Sequence, residues 1–314
     1  MKSFVPAVLY AAILVFFTPV VAGQSVSSPK KVLEALAKSD FRNAVLLAKT
    51  VDNPDYSDKS GATLLMCSAE TGAKDVCLTL LDRGADCNRR SVNGTTALYL
   101  AAQNGHTGVV SLLLERGAGT DLSPENGATP LIAASQFGYT DIVRLLTERG
   151  AAADLQDMHG STALILAAQN GNNDIVKILT ANGAGPDIPD SNGSTALILA
   201  SQEGNEEAVR ILLESGANAD KQTVNGNTAL ILAALKGHGD IVQLLLDKGA
   251  QVDMRTSTGA TALFAAASRG HSQTVSMLLE RGADPLVTDR EGKTAFFYTK
   301  DYNVKAILTA WTKK

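Results

Sequence analysis

The chain contains 314 residues, with 28 basic and 32 acidic side chains and a formal net charge of −4 at pH 7. Domains that bind nucleic acid concentrate positive charge, so this mild acidity argues against nucleic acid as a partner. No glycine-rich phosphate loop follows a predicted strand, and no Ser or Cys nucleophile has a spaced set of partners. We therefore expect neither catalysis nor a cofactor.

The first predicted element is an apolar run over residues 4–21, preceded by Met1-Lys2-Ser3 and followed by small residues up to Gly23. This pattern predicts a cleavable secretory signal over residues 1–23. The run is near the minimum length for a membrane span and contains Pro6 and Pro19, so an uncleaved anchor is the alternative. We expect export, to the periplasm if the source is bacterial and by secretion otherwise, without stable membrane insertion after cleavage.

Glycines recur in the rest of the chain at a constant step of 33 residues. The longest series is Gly61, Gly94, Gly127, Gly160, Gly193, Gly226, Gly259 and Gly292. A second series runs from Gly72 to Gly270 with the same step, and a third includes Gly84, Gly117 and Gly282. A fixed period of this length indicates an array of repeats in which each unit buries its apolar face against its neighbours.

One copy of the repeat, residues 94–118, contains signals for two short helices. The Thr96 hydroxyl can accept a hydrogen bond from a free amide in the first turn of the first helix. Val109, Val110 and Leu113 recur at helical spacing and predict a buried face on the second helix. Gly117 can end that helix because glycine accepts a left-handed backbone.

This unit resembles the ankyrin repeat, on the residues Gly94-Thr95-Thr96-Ala97-Leu98 at its start and Glu115-Arg116-Gly117-Ala118 at its end. The resemblance implies an all-α repeat fold, an ankyrin solenoid of helix-turn-helix units joined by β-hairpin loops. Seven full repeats occupy residues 61–291, with a degenerate capping repeat at 24–60 and a shortened capping repeat at 292–314. In the first capping repeat, the aligned core columns contain Val32, Leu33, Leu36, Ala44, Leu46 and Leu47.

The chain departs from the family at the histidine that usually follows Thr-Pro-Leu. Its place is taken by Met66, Tyr99, Ile132, Ile165, Ile198, Ile231, Phe264 and Phe297. We expect apolar packing to replace the polar network at this position.

An ankyrin array implies a concave surface formed by the hairpin tips and the exposed ends of the first helices, where family members hold protein partners. The candidate partner-binding residues are Gln103, Gln136, Phe137, Tyr139, Gln169, Gln202, Glu203, Leu235, Lys236, Arg269 and Tyr302. Phe137, Tyr139 and Leu235 stand in columns that otherwise hold polar residues, and single aromatic anchors often dominate interface energy. The alternatives are ordinary scattered apolar residues and a glutamine strip that is only solvated.

An aspartate ladder and three histidines raise the question of a cation site. The ladder consists of Asp121, Asp154, Asp187, Asp220 and Asp253. An Asp at the start of a hairpin bonds its own backbone in a turn, and we favour that interpretation over cation binding. His106, His238 and His271 share one repeat position without a second pair of ligands, so we expect no metal site.

Cysteines and aromatic residues gather near opposite ends of the array. Cys67 and Cys77 fall in core columns, either as small apolar fillers or as a disulfide in an oxidising compartment. In the last repeat, Phe296, Tyr298, Leu308 and Trp311 fall on core columns and predict a bulky end cap. A docking site for a partner or a second copy is the alternative.

Together these patterns predict an exported, non-enzymatic, monomeric scaffold that binds a partner protein through its concave face. The alternative function is a specific inhibitor or immunity protein that blocks a partner enzyme. A small-molecule or metal-dependent enzyme is a further alternative, and it would need a convergent polar pocket that the columns do not supply.

Overall fold

The computed structural model describes residues 28–313, so the predicted signal segment lies outside the described residues. These residues form two compact units, which divide between Gly119 and Thr120. The first unit contains helices α1 (Ser28–Ala37), α2 (Phe41–Ala48), α3 (Leu64–Glu70), α4 (Lys74–Asp82), α5 (Ala97–Gln103) and α6 (Thr107–Glu115).

The second unit contains six helix pairs. They are α7 (Pro130–Phe137), α8 (Thr140–Glu148), α9 (Ala163–Gln169), α10 (Asn173–Ala181), α11 (Ala196–Glu203), α12 (Glu206–Glu214), α13 (Ala229–Lys236), α14 (Gly239–Asp247), α15 (Ala262–Arg269), α16 (Ser272–Glu280), α17 (Ala295–Tyr298) and α18 (Tyr302–Trp311). Within each unit, each first helix packs against the first helix of the next pair and against its own second helix. The all-α repeat prediction is thus confirmed.

From α3 onwards, each first helix has a threonine at its N-cap, as the repeat pattern predicts. The Thr96 hydroxyl accepts a hydrogen bond from the Tyr99 amide at 3.2 Å, and Thr162 accepts one from Ile165 at the same distance. Pro130 occupies the first turn of α7, where its missing amide leaves no helical bond unmade. In α15 the side chain of Thr261 makes no such cap, and its hydroxyl is buried without a partner among the described residues.

Small residues allow the first helices to pack closely. Ala101 and Ala102 are fully buried in α5, and Ala167 and Ala168 are fully buried in α9. The apolar substitutes for the family histidine are also buried from Met66 to Phe264, which confirms the expected apolar packing. Phe297 in the last repeat is the exception and is exposed.

The loops between helix pairs close as short hairpins. At the tip 190–194, the Asp190 amide donates to the Ser194 carbonyl, and the Gly193 amide donates back to the Asp190 carbonyl, both at 2.9 Å. The Asp190 carboxylate accepts the amides of Asn192 and Ser194 at 2.8 and 2.7 Å. Neighbouring tips are also linked, since the Val224 amide donates to the Asn192 carbonyl at 2.8 Å.

The core prediction fails at several positions in the terminal repeats. Leu46 is 58% exposed, and Phe296 and Tyr298 are 44% and 37% exposed. A terminal repeat lacks one neighbour, so residues on its outer side stay uncovered even though they occupy core columns. Val32, Leu36, Ala44 and Leu308 are buried as predicted.

Cys67 and Cys77 are buried, which confirms their predicted place in the core. Both are free thiols. Burial raises the pKa of each thiol to about 12, so neither is an activated nucleophile. Between residues 28 and 313, no helix is both long enough and apolar enough to cross a membrane.

Candidate functional site

The C-terminal ends of the first helices are held in place by a side chain at the start of the second helix of the next repeat. His238 Nε2 lies 3.2 Å from the Gln202 carbonyl oxygen, and His271 Nε2 lies 3.2 Å from that of Leu235. Asn205 plays the same part, donating to the Gln169 carbonyl at 2.8 Å. These side chains fix the ends of successive first helices within the second unit.

In the first unit, His106 has the same role. Its Nε2 lies 2.9 Å from the Glu70 carbonyl oxygen. A Cβ on Gly72 would lie 2.6 Å from His106 Nδ1, so a glycine at this point makes room for the ring. The histidine column thus has a structural role at the helix ends. No group of three or more His, Cys, Asp or Glu side chains that could hold a metal ion was found among the described residues.

The aspartate ladder bonds the backbone, but not that of its own turn as we predicted. Each carboxylate accepts an amide from the next repeat, as Asp154 does from Gly185 at 2.8 Å and Asp187 from Asn218 at 2.9 Å. Asp121, Asp220 and Asp253 bond Ala152, Gln251 and Asp284 in the same way. The ladder therefore joins neighbouring repeats.

The aromatic pair Phe137 and Tyr139 stands at the end of α7. Phe137 is 51% exposed, Tyr139 is half-buried, and their ring centroids are 6.2 Å apart in a tilted arrangement. The left-handed backbone of Gly138, at φ 80°, ends the helix between them. Gln136 is exposed beside the pair. This places three of the predicted site residues together on one exposed helix end.

Except for Tyr302, the other predicted residues of the second unit lie on equivalent helix ends. Gln169, Gln202 and Leu235 are half-buried, while Glu203, Lys236 and Arg269 are exposed. Gln202 Nε2 donates to Glu203 Oε1 at 3.0 Å, so these two side chains act together. The last residues of the helices α7, α11, α13 and α15 thus change from aromatic to acidic and then to basic.

Two predicted site residues differ from this group. Gln103 lies in the first unit, at the end of α5, where its Nε2 donates to the Tyr99 hydroxyl at 3.1 Å. Tyr302 begins α18 in the terminal repeat and is highly exposed.

Exposed apolar residues at the hairpin tips were missed by the sequence analysis. Met158 and Val224 occupy the same tip position two repeats apart and are 68% and 76% exposed, and Val92 has this position in the first unit. The signal in the sequence was an apolar residue directly after the turn-forming side chain at 157 or 223. The core columns do not include this position, and hairpin tips are expected to be polar.

Two carboxyl groups in the repeats have raised pKa values. Burial raises the pKa of Glu70, and burial raises the pKa of Asp253 even though it accepts the Asp284 amide. Glu70 and Asp253 belong to different units. What the helix ends offer is a row of exposed side chains on a fixed backbone, an arrangement suited to contacting another macromolecule.

Comparison with known proteins agrees with this geometry. A family model described as Ankyrin repeats (3 copies) matches residues 88–157, 149–223 and 215–289, and one described as Ankyrin repeat matches residues 60–92. Among solved structures, the ankyrin repeat domain of Bcl-3, described as a unique member of the IkappaB protein family, is 30% identical. The match has a TM-score of 0.62 and covers 69% of this chain and 99% of that domain.

A search of curated proteins gave no match. The family matches together span most of the chain, and this fold is typical of non-enzymatic modules that mediate contacts between proteins. The chain belongs to the ankyrin repeat family.

Proposed function

We propose that the protein is an exported, non-enzymatic scaffold that binds one partner protein through the first-helix ends of the unit beginning at Thr120. The observation that carries this proposal is the exposed Phe137 ring, which stands against Tyr139 beside Gln136. An aromatic side chain with few torsions loses little entropy on binding and buries a large area. In the equivalent repeats this position holds Asn170, Glu203, Lys236 and Arg269.

The charges along the helix ends define the partner that fits. Beyond Phe137 the column becomes acidic at Glu203 and basic at Lys236 and Arg269. Neighbouring repeats are about 10 Å apart, comparable to the Debye length, so each charge acts locally. The partner therefore presents an apolar pocket at one end and acidic side chains at the other. Because its charges are complementary to those along the column, one alignment of the partner on the helix ends is favoured.

The scaffold is preformed, which supports binding without a large ordering cost. Contacts of His238, His271 and Asn205 hold the backbone of the helix ends. A rigid surface avoids the entropy of ordering a loop on association.

Export rests on the predicted leader over residues 1–23 and is tested by determining the N-terminus of protein recovered from the exported fraction.

Affinity capture tests the binding proposal. The mature chain, residues 24–314, is used as bait in an extract of the source organism's exported fraction, with Phe137→Ala and Arg269→Glu as controls. We expect one stoichiometric protein that is lost from the Phe137→Ala bait. Equal recovery of this protein with the unchanged chain and with the Phe137→Ala bait would exclude Phe137 from the binding surface.

The same experiment separates a scaffold from an inhibitor. The captured protein is assayed for its own activity with and without the mature chain. Unchanged activity supports a scaffold, while stoichiometric loss of activity would show an inhibitor or immunity protein instead.

A further inference from the structure

We propose that Asn93, at a hairpin tip of the first unit, is an acceptor for an N-linked oligosaccharide. The sequence contains two Asn-x-Ser/Thr motifs, Asn93-Gly94-Thr95 and Asn192-Gly193-Ser194. Both asparagines are exposed at hairpin tips. This proposal rests on the proposed export, because the modification requires entry into a secretory pathway of eukaryotic type.

The tip around Asn93 is organised for this reaction by four local contacts. The Thr95 hydroxyl donates to Asn93 Oδ1 at 2.9 Å, and the Ser91 hydroxyl donates to the same oxygen. The Thr95 amide is 3.0 Å from Ser91 Oγ and 3.4 Å from Asn93 Oδ1. All of these groups lie within five residues, so the arrangement does not depend on packing elsewhere in the chain.

The second motif lacks this arrangement for a physical reason. Asp190 occupies the position of Ser91, and its carboxylate accepts the amides of Asn192 and Ser194. A carboxylate cannot donate to a carboxamide oxygen, whereas a serine hydroxyl can. The Ser194 side chain is also buried, while Thr95 is half-exposed. Asn93 is therefore the favoured acceptor of the two.

The reaction exchanges one bond at the anomeric carbon and transfers one proton. Asn93 Nδ2 attacks the anomeric carbon of a polyprenyl-diphosphate-linked oligosaccharide, and the bond from that carbon to the diphosphate oxygen breaks. The electron pair leaves with the diphosphate, and the Nδ2 proton passes to a base of the transferase. Donors on Oδ1 favour this step because they make the amide protons more acidic.

The modification would divide the first unit into a covered and an open region. Asn93 precedes helix α5 and Gln103 ends it, and a helix of this length spans about 10 Å. A glycan on Asn93 covers the tip and leaves the helix end open. Contacts to a partner in this unit would then fall on the Gln103 end and not on Val92.

Translation of the full chain with eukaryotic microsomes tests the proposal. A second precursor carries an established secretory leader in place of residues 1–23, so that failure of export and failure of glycosylation are separated. Translocation is measured by protease protection, and the glycan by a mobility step that an endoglycosidase reverses. We expect one glycan, which is mapped to Asn93 by peptide mass spectrometry.

Variants identify the acceptor and its geometry. Thr95→Val removes the hydroxyl and should abolish glycosylation of Asn93, while the Thr95→Ser and Ser194→Ala variants should still be glycosylated there. Ser91→Asp should lower the modified fraction, because it gives this tip the carboxylate found at Asp190. A translocated precursor without a glycan, or with one only at Asn192, would overturn the proposal. If only the replaced leader gives glycosylated Asn93, residues 1–23 do not direct entry into a secretory pathway of eukaryotic type, and the acceptor assignment stands.

Discussion

Two glycines in the second unit differ in how closely the next repeat approaches them, so substitutions at the two positions measure what that approach contributes to stability. Gly193 lies at a hairpin tip and Gly183 follows helix α10, and their φ angles are nearly equal at 78° and 83°. A Cβ on Gly193 would lie 2.9 Å from the Val224 backbone nitrogen and 3.1 Å from two Thr223 backbone atoms. A Cβ on Gly183 would have no heavy atom within 4 Å.

The substitutions Gly183→Ala and Gly193→Ala therefore differ in one physical respect. Both place alanine in a left-handed backbone, which costs about 1–2 kcal/mol. Both also stiffen the unfolded chain by a similar amount, which cancels in the comparison. Only Gly193→Ala forces the backbone of the neighbouring tip to move, and overpacking of this kind costs roughly 1–3 kcal/mol more.

Urea unfolding of residues 24–314, followed by circular dichroism, measures both losses of stability. We expect Gly193→Ala to lose about 1–3 kcal/mol more than Gly183→Ala, with similar slopes of free energy against urea. Equal losses within about 0.5 kcal/mol would refute the argument that Gly193 is required for the close approach between tips.

Three further predictions concern the core, the aspartate ladder and the terminal repeat. Leu179→Ala should lose about 2–5 kcal/mol in urea unfolding, because Leu179 is fully buried and the change opens a cavity; unchanged stability would contradict the core assignment. Asp187→Ala should lose about 1–2 kcal/mol by leaving the Asn218 amide without its acceptor, while Asp187→Asn should keep most of the stability; similar losses would contradict the hydrogen-bonding role. The hydrogen bond from Tyr298 to Asp289 raises the pKa of Tyr298 to about 12 and lowers that of Asp289. The stabilisation linked to Tyr298 is therefore present below its ordinary pKa and lost as pH rises through about 12, and that linked to Asp289 is lost as pH falls through its lowered pKa. Asp289→Asn should return the Tyr298 pKa towards its ordinary value in a spectrophotometric titration, and an unchanged titration would exclude the contact.

The sequence was sufficient to predict the repeated parts of the fold. The 33-residue glycine step, the threonine caps and the burial of Cys67 and Cys77 follow from rules that act within one repeat or between identical neighbours. The boundaries of the capping repeats stay predictions, and so does the signal segment.

What the sequence did not predict depends on a missing or a distant neighbour. Leu46, Phe296 and Tyr298 occupy core columns but belong to repeats with one uncovered side. The partner of Asp187 is an amide 31 residues away, so a local turn rule could not identify it. For the candidate site, the sequence indicated the exposed Phe137, but its ring contact with Tyr139 depends on how α7 ends at Gly138.

The central claim is that the first-helix ends supply the main contacts to the partner. The most direct measurement is the dissociation constant of the captured protein for the mature chain and for two variants, Phe137→Ala and Met158→Ala. Both side chains are exposed in the same unit, one at a helix end and one at a tip. We predict that Phe137→Ala weakens binding about tenfold or more, equivalent to at least about 1.4 kcal/mol, while Met158→Ala changes it less than about twofold. Equal effects of the two variants, or a larger effect of Met158→Ala, would contradict the account.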